Sequence, residues 1–369
     1  MQSPATTSYD LSYSYDLMGN PLTAGNGLGT TFSYGYNAAG QLATMTSSLI
    51  SANFPGTLLS NVQYGPFGLS ASTLGNGLTE AATYNSLGRL ANFTAAQNGA
   101  TRYNFGLSYA ADGNITSGND SQNGYWAYTY DPFNRLKTAS QSGQALNWDY
   151  DRYGNRWHQN VTLGSAGTSS LSFSGNDNRV DGDTYDAAGN VRQVGSRVYT
   201  YDAENRLTGV SGDASASYVY DAQGRRIGTQ AYQYLYDLDG HAITLIQPGN
   251  GNFYYGEIYA DGRHLATYYN GTTSFNHTDW LGTERVRTGV TGAVAETCTS
   301  LPFGDGQTCT GPESSFRHFT GDERDTETGL DHTLFRQYQS LEGRWLAVDP
   351  LGGDITDPQS LNGYAYVLN

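Results

Sequence analysis

Tyr130-Asp131-Pro132-Phe133-Asn134-Arg135-Leu136 is the stretch that decides the fold. Its pattern is a tyrosine, an acidic residue, two variable residues, a residue tolerant of positive φ, a polar residue and an aliphatic one. The same order recurs at Tyr15-Asp16…Gly19-Asn20, Tyr36-Asn37…Gly40-Gln41-Leu42, Tyr84-Asn85…Gly88-Arg89-Leu90 and Tyr109…Gly113-Asn114-Ile115. It continues at Tyr150-Asp151…Gly154-Asn155, Tyr185-Asp186…Gly189-Asn190-Val191, Tyr201-Asp202…Asn205-Arg206-Leu207, Tyr220-Asp221…Gly224-Arg225 and Tyr236-Asp237…Gly240. Tyr64…Gly68 and Tyr259…Gly262 look like degenerate copies, giving about twelve units spaced mostly 16 to 28 residues apart. A fixed period of this kind marks a repeat architecture.

The spacing has a physical reading. A three-residue hairpin loop is a type I turn followed by a residue at positive φ. Glycine suits that last position, and asparagine is the next most tolerant residue there. Gly19, Gly40, Gly88, Gly113, Gly154, Gly189, Gly224 and Gly240, with Asn134 and Asn205, are therefore assigned to turns. The acidic and polar residues then form one cross-strand pair, and tyrosine and the aliphatic residue form the next, on the opposite face. Such pairs contribute roughly 0.2–1 kcal/mol each. Hairpins in series make one continuous antiparallel ribbon. About 24 strands at ~4.8 Å span on the order of 115 Å. A sheet that wide must curl, and curled once it makes a tube on the order of 35 Å across. With hydrophobic content of only 37%, the expectation is a hollow, barrel-like shell with a water-filled or partly filled interior.

Composition agrees. The 369 residues include 47 Gly and 30 Tyr, charged residues are 14%, and Lys137 is the single lysine. Long soluble helices need Ala, Leu, Glu and Lys in quantity, so the chain is all-β. Aromatics at 13% argue against disorder. A net charge of −15 without a basic cluster argues against nucleic acid as a partner. No apolar run reaches 18 residues, so no membrane span is expected. The first sixteen residues lack a basic start followed by an apolar stretch, the mark of a signal peptide. Cys298 and Cys309 bracket a Pro/Gly loop. They are either a bridge across its neck or two free thiols.

These residues resemble the YD repeat of the Rhs and teneurin proteins. Beyond residue 275 the likeness becomes specific. His277-x-Asp279-x-Leu281-Gly282-Thr283-x-Arg285, Pro302-Phe303-Gly304 and Phe319-Thr320-Gly321-x-Glu323-Arg324-Asp325-x-Glu327-Thr328-Gly329-Leu330 follow in order. Arg336-x-Tyr338, Gly343-Arg344-Trp345, Asp349-Pro350-Leu351-Gly352 and Leu361-Asn362-Gly363-Tyr364-Ala365-Tyr366-Val367 complete the series. Their order and spacing are similar to those of the Rhs repeat-associated core domain. The resemblance implies a YD-repeat β-shell over residues 1–275 and a core-domain plug over 276–369 that closes one end.

It further implies that the shell encloses and protects a C-terminal effector, freed by an aspartyl autoprotease in the plug. The protein would be secreted or at the cell surface. In teneurins the related shell serves extracellular recognition, which is the alternative function here, as is a cargo-free scaffold. The family's cleavage point follows a second DPxGL motif. This sequence stops at Leu368-Asn369 before one, so the expectation is the last part of a shell, or a small shell without cargo, with no cleavage of this chain itself.

Asp349 is the leading catalytic candidate. Peptide cleavage by carboxylates needs one group to activate a nucleophile and another to donate a proton. Asp354 or Asp357 would supply the second, and Arg344 would hold a carboxylate ionised or stabilise developing negative charge. The charged run Asp322–Glu327 alternates in sign, which favours local ion pairing over a metal site. His277 with Asp279 lacks a third ligand at suitable spacing, and no Gly-rich phosphate loop ends in Gly-Lys-Ser/Thr. No metal or cofactor is expected. Trp126, Trp148 and Trp157 are read as packing residues rather than sugar platforms. A single lysine leaves sheet edges poorly guarded, so edge-to-edge self-association is a further expectation.

Overall fold

The computed structural model describes residues 9–311 and 316–367. Residues 1–8, 312–315 and 368–369 lie outside them. Among the described residues there are 34 strands and two short 3-10 turns, Phe319–Gly321 and Pro358–Leu361, with no α-helix. Each strand pairs with its sequence neighbours, in strictly sequential order. The ladder is not one ribbon but four. Strands β1–β15 cover residues 13–170, β16–β20 cover 184–217, β21–β30 cover 219–310 and β31–β34 cover 323–345. None closes on itself among these residues. The interruption between the second and third ladders is one residue, Tyr218. Its ring is buried and its hydroxyl donates to Glu327 Oε1 at 3.0 Å.

In all ten named turns the third loop residue has positive φ, from +61° at Asn134 to +106° at Gly113. Tyrosine pairs with the residue six positions on, as in Tyr36↔Leu42, Tyr84↔Leu90 and Tyr130↔Leu136. One residue beyond that pair each of these ladders shifts register. Thr129 faces Thr138, leaving Lys137 as an extra residue. Such a bulge bends the strand and breaks strict alternation.

The two degenerate copies are different turns. Gly65 pairs with Gly68, and Ala260 with Arg263, so only two residues lie in each loop. Asp261 and Gly262 both have positive φ, at +52° and +73°, which is the I′ geometry that suits strand twist.

The interior, expected to be water-filled or partly filled, is packed where the first and third ladders meet. Leu58, Leu74, Tyr103 and Phe105 meet Leu265, Ala266, Phe275 and Val286 in one buried cluster. Phe105 meets Trp280 edge-on at 5.6 Å, and Asn76 Nδ2 donates to Thr288 Oγ1 at 2.9 Å. Trp126 and Trp148 are buried against Leu301 and Phe303. The division expected at residue 275 falls inside β27 (Thr272–Thr278), so the third ladder runs on to Thr310.

The fourth ladder sits where the other three meet. Leu330 and Leu346 pack with Leu207 and Val210 of the second ladder. Buried Arg226 on the third ladder pairs with Asp325 at 2.7 Å and Glu323 at 3.2 Å. Arg156, on the first ladder, donates to the carbonyls of Ser340, Leu341 and Glu342. Cys298 and Cys309 face each other across β29 (Val294–Thr299) and β30 (Thr308–Thr310) and are joined by a disulfide.

Candidate functional site

The repeat itself sets the rim on which the candidate site rests. Asp131 Oδ1 accepts from the backbone N–H of Phe133 and Arg135 at 2.9 and 3.1 Å, and Oδ2 accepts from Arg135 Nε at 2.7 Å. Asp202 and Asp221 repeat this arrangement with Arg206 and Arg225. Partial burial pushes these three carboxyls up, but the arginine fork and the turn amides outweigh it and hold them below the usual range.

Each arginine also reaches the next unit. Arg135 lies 4.6 Å from the Tyr150 ring and donates to Asp151 O at 3.1 Å, while Tyr150 OH returns to Leu136 O at 2.7 Å. The same relay joins Arg206 to Tyr220. Polar and aromatic pairs therefore meet at the rim rather than staying on opposite faces.

Asp349 lies beyond the fourth ladder, one-third exposed. Its Oδ2 accepts from Arg336 Nη2 at 2.7 Å, and Oδ1 accepts from Leu351 N at 2.9 Å. Its own N–H donates to Gly363 O at 2.8 Å, to which Arg336 Nη1 also donates at 3.3 Å. The guanidinium of Arg336 stacks 4.2 Å from the Trp345 ring, and burial lowers its pKa. Gly363 is required here, because a Cβ would come within 2.9 Å of Val348 and 3.2 Å of Asp349 N. The segment around Gly363 is thus stitched against the candidate aspartate.

Arg344 does not hold this carboxylate. It is buried, donating to Asn155 Oδ1 at 2.9 Å and Asn178 O at 2.5 Å, between the Phe173 and Tyr364 rings. Arg344 is a tie between the fourth ladder and the turns of the first. Arg336, thirteen residues before Asp349, takes the place the sequence reading gave to Arg344.

Asp354 and Asp357 are exposed in a loop of their own. Asp354 accepts from Thr356 N and Oγ1, which lowers its pKa, and Asp357 caps the turn Pro358–Leu361 through Gln359 N. No hydrogen bond or ion pair joins either to Asp349 among the described residues.

The run Asp322–Glu327 is ion-paired across elements rather than locally. Arg324 pairs with Asp331, and Tyr234 OH donates to Glu323. Burial pushes Asp322 and Asp325 up to about 7 and Asp331 to about 6. Asp322 is half-buried near Asp331, whose charge raises it further, although Thr320 Oγ1 donates to it at 2.9 Å. Thr320 holds φ at +55°, rare for a β-branched residue. Its hydroxyl lies 3.4 Å from Tyr366 OH, and the Tyr366 ring lies tilted against Trp345 at 5.2 Å. A contiguous path of side chains therefore runs from Asp322 through Thr320, Tyr366, Trp345 and Arg336 to Asp349. Burial thus raises Asp322, Asp325 and Asp331 toward neutral pH, which their place in an alternating-charge run does not reveal. Their only signal in the sequence was an acidic run whose partners lie far away along the chain.

His277 and Asp279 do not act together. His277 Nε2 contacts Thr288 Oγ1, while Asp279 closes the turn through Leu281 N, Thr283 N and Arg285. The segment is one more hairpin turn, with Thr278 where other units place tyrosine. Trp157 stacks on His158 at 5.0 Å.

Residues 76–369 match the teneurin YD-shell family, and the chain belongs to it. Two curated relatives are the tRNA3(Ser)-specific nuclease WapA of Bacillus spizizenii and the tRNA nuclease WapA of Bacillus subtilis strain 168. Each is 29% identical over 266 residues, 65% of this chain and 11% of the relative. This chain thus spans about a tenth of their length. Among solved structures, the Photorhabdus luminescens Tc holotoxin pore carrying a TccC3 variant superposes with a TM-score of 0.82 at 18% identity. The match covers 98% of this chain and 21% of that one. The TcdB2–TccC3 complex gives the same TM-score over 97%. At this identity the likeness shows the fold. No helix among the described residues is long and apolar enough to cross a membrane.

Proposed function

We propose that this chain is wall and end closure of an Rhs-type toxin shell, which encloses a C-terminal effector and protects it during secretion. The observation that carries this reading is the superposition over 98% of the chain on one-fifth of a Tc toxin component. In this reading the hollow of the shell lies beyond the packed junction of the first and third ladders, and residues 276–369 act as the plug. The fourth ladder supports that role, since buried arginines from the first and third ladders anchor it.

Asp349 and Arg336 then belong to a single-turnover self-cleaving aspartyl site that frees the effector. Arg336 orients the Asp349 carboxylate, with Leu351 N holding its other oxygen, so that Asp349 is the group placed to serve the cleavage as general acid or base. Asp354 and Asp357, with their carboxylates engaged in their own loop, serve that loop's shape.

Limited proteolysis of the complete reading-frame product tests the proposal. The effector segment is expected to resist protease until the shell is denatured. Asp349→Asn is expected to leave shell and effector in one polypeptide without loss of protection. Digestion of that segment at the rate of the isolated segment would overturn the enclosure. Unchanged cleavage in Asp349→Asn would overturn the catalytic assignment alone.

A further inference from the structure

A tyrosine-walled cleft of about 580 Å³ lies between the opening hairpins of the first ladder and the middle of the third. Tyr34, Tyr36 and Tyr64 line it from one side and Tyr259 from the other. Nothing in the enclosure or cleavage reading uses it. Three of these hydroxyls are already committed. Tyr36 OH donates to Pro21 O and Tyr64 OH to Leu42 O, both at 2.9 Å, and Tyr259 OH accepts from Arg317 at 3.1 Å. What remains for a ligand is ring surface rather than hydroxyl chemistry.

Three carboxylates share the same walls: Asp237, Asp239 and Asp261. Asp261 helps to raise the Tyr36 and Tyr64 hydroxyls after burial, and Asp237 does so for Tyr34 and Tyr259. The carboxylates and the rings thus share one cleft, with Asp239 and Asp261 exposed at the hairpin turns on its wall. Asp237 is partly answered by His241, whose Nδ1 lies 3.0 Å away and whose pKa that contact raises. His241 in turn stacks 4.2 Å from Tyr259. Neither Asp239 nor Asp261 takes part in an ion pair among the described residues, and no lysine or arginine lines the cleft. Arg317 stands behind Tyr259 and is engaged by Glu257.

Aromatic faces attract cations through their quadrupole, and convergent carboxylates add a charge term that a neutral ligand does not feel. We propose that this cleft is a binding site for a small organic polycation of the alkylammonium class. The ammonium groups lie against Asp239 and Asp261, and the alkyl stem runs over the tyrosine rings. The shared alkylammonium chemistry belongs equally to a free polyamine and to a lysine side chain of a peptide. The chain's own single lysine, Lys137, is spent on Asp149 and Trp148 O.

Isothermal titration of the chain with spermidine, an oligolysine peptide, maltose and zinc chloride tests this. Saturable one-site binding of spermidine is expected, weakened about tenfold when both Asp239 and Asp261 become Asn, and weakened by added salt. Both positions are turn residues that asparagine tolerates, so an unchanged melting temperature checks that the variant folds. Tyr64→Leu is expected to weaken binding several-fold at constant charge. Tighter oligolysine than spermidine binding would identify a peptide as the source of the ammonium group and leave the site chemistry standing. Absence of saturable spermidine binding, binding indifferent to Asp239→Asn with Asp261→Asn, or saturation by zinc or maltose alone would overturn the proposal.

Discussion

Two turn glycines with nearly the same backbone separate conformational strain from packing. Gly189 has φ of +92° and Gly240 has φ of +88°. A Cβ at Gly240 would meet nothing within 4 Å, whereas at Gly189 it would lie 2.7 Å from Val348 Cγ2 and 3.1 Å from Tyr364 OH. Tyr364 OH also donates to Gly189 O at 2.6 Å, so the turn is clamped by the C-terminal segment. Asparagine tolerates positive φ, so Gly240→Asn is expected to cost under about 1 kcal/mol. Valine does not, and Gly240→Val is expected to cost about 1–3 kcal/mol. At Gly189 overpacking adds roughly 1–3 kcal/mol to either change. Gly189→Asn is therefore damaging, although turn chemistry alone would make it mild. Urea titration followed by tyrosine and tryptophan fluorescence reads the shift in midpoint for each variant. Equal shifts for Gly189→Asn and Gly240→Asn would refute the clamping of this turn by Val348 and Tyr364.

Burial raises Asp322 to about 7, so its folded pKa lies above its unfolded one. Stability from this group is full below pH ~4 and lost as pH rises through 7. Asp322→Asn should flatten that decline in melting temperature between pH 4.5 and 7.5, and an unaltered pH profile would count against it. Glu80 behaves oppositely: burial opposes its charge, but Arg263 and His277 hold it at about 2. Its contribution is present above pH ~4.5 and lost towards pH 2, and Glu80→Gln should remove that acid-side loss. Reducing Cys298–Cys309 is expected to cost about 2–3 kcal/mol for a loop of this length. The Thr297–Thr310 and Thr299–Thr308 pairs should keep the strand register, so loss of β30 amide protection on reduction would contradict this. The open ladder ends predict a mass that rises with concentration in light scattering; a monomer throughout would remove that expectation. On the enclosure account a glycan array shows no reproducible, competable binding, and such binding would favour recognition instead.

The hairpin register was legible because one short pattern encodes it: tyrosine, acid, two free positions, a residue for positive φ, and an aliphatic six residues on. A bulge closing the loop follows from the turn type, but the register shift one pair further on does not, since no residue type marks Lys137 as the extra one. Tyr64 misled because its glycine lies four residues on, as in the three-residue loops, although the loop there has two residues; at Tyr259 the glycine is one residue nearer, in keeping with the shorter loop. The filled interior was hidden by composition. Tyrosines, asparagines and buried arginines such as Arg156, held by backbone carbonyls, and Arg226, paired with Asp325, fill it in place of aliphatic residues. Arg344 was favoured by nearness in sequence to Asp349, while Arg336 reaches the carboxylate only because the chain doubles back through β33 (Gln337–Gln339) and β34 (Arg344–Trp345). The raised pKa values of Asp322 and Asp331 come from burial, which sequence spacing does not report.

Reading the coding sequence past the Asn369 codon tests the enclosure most directly. The account predicts an open frame that carries a second Asp-Pro-x-Gly-Leu motif and then a segment of different composition. A stop codon at that point would contradict it.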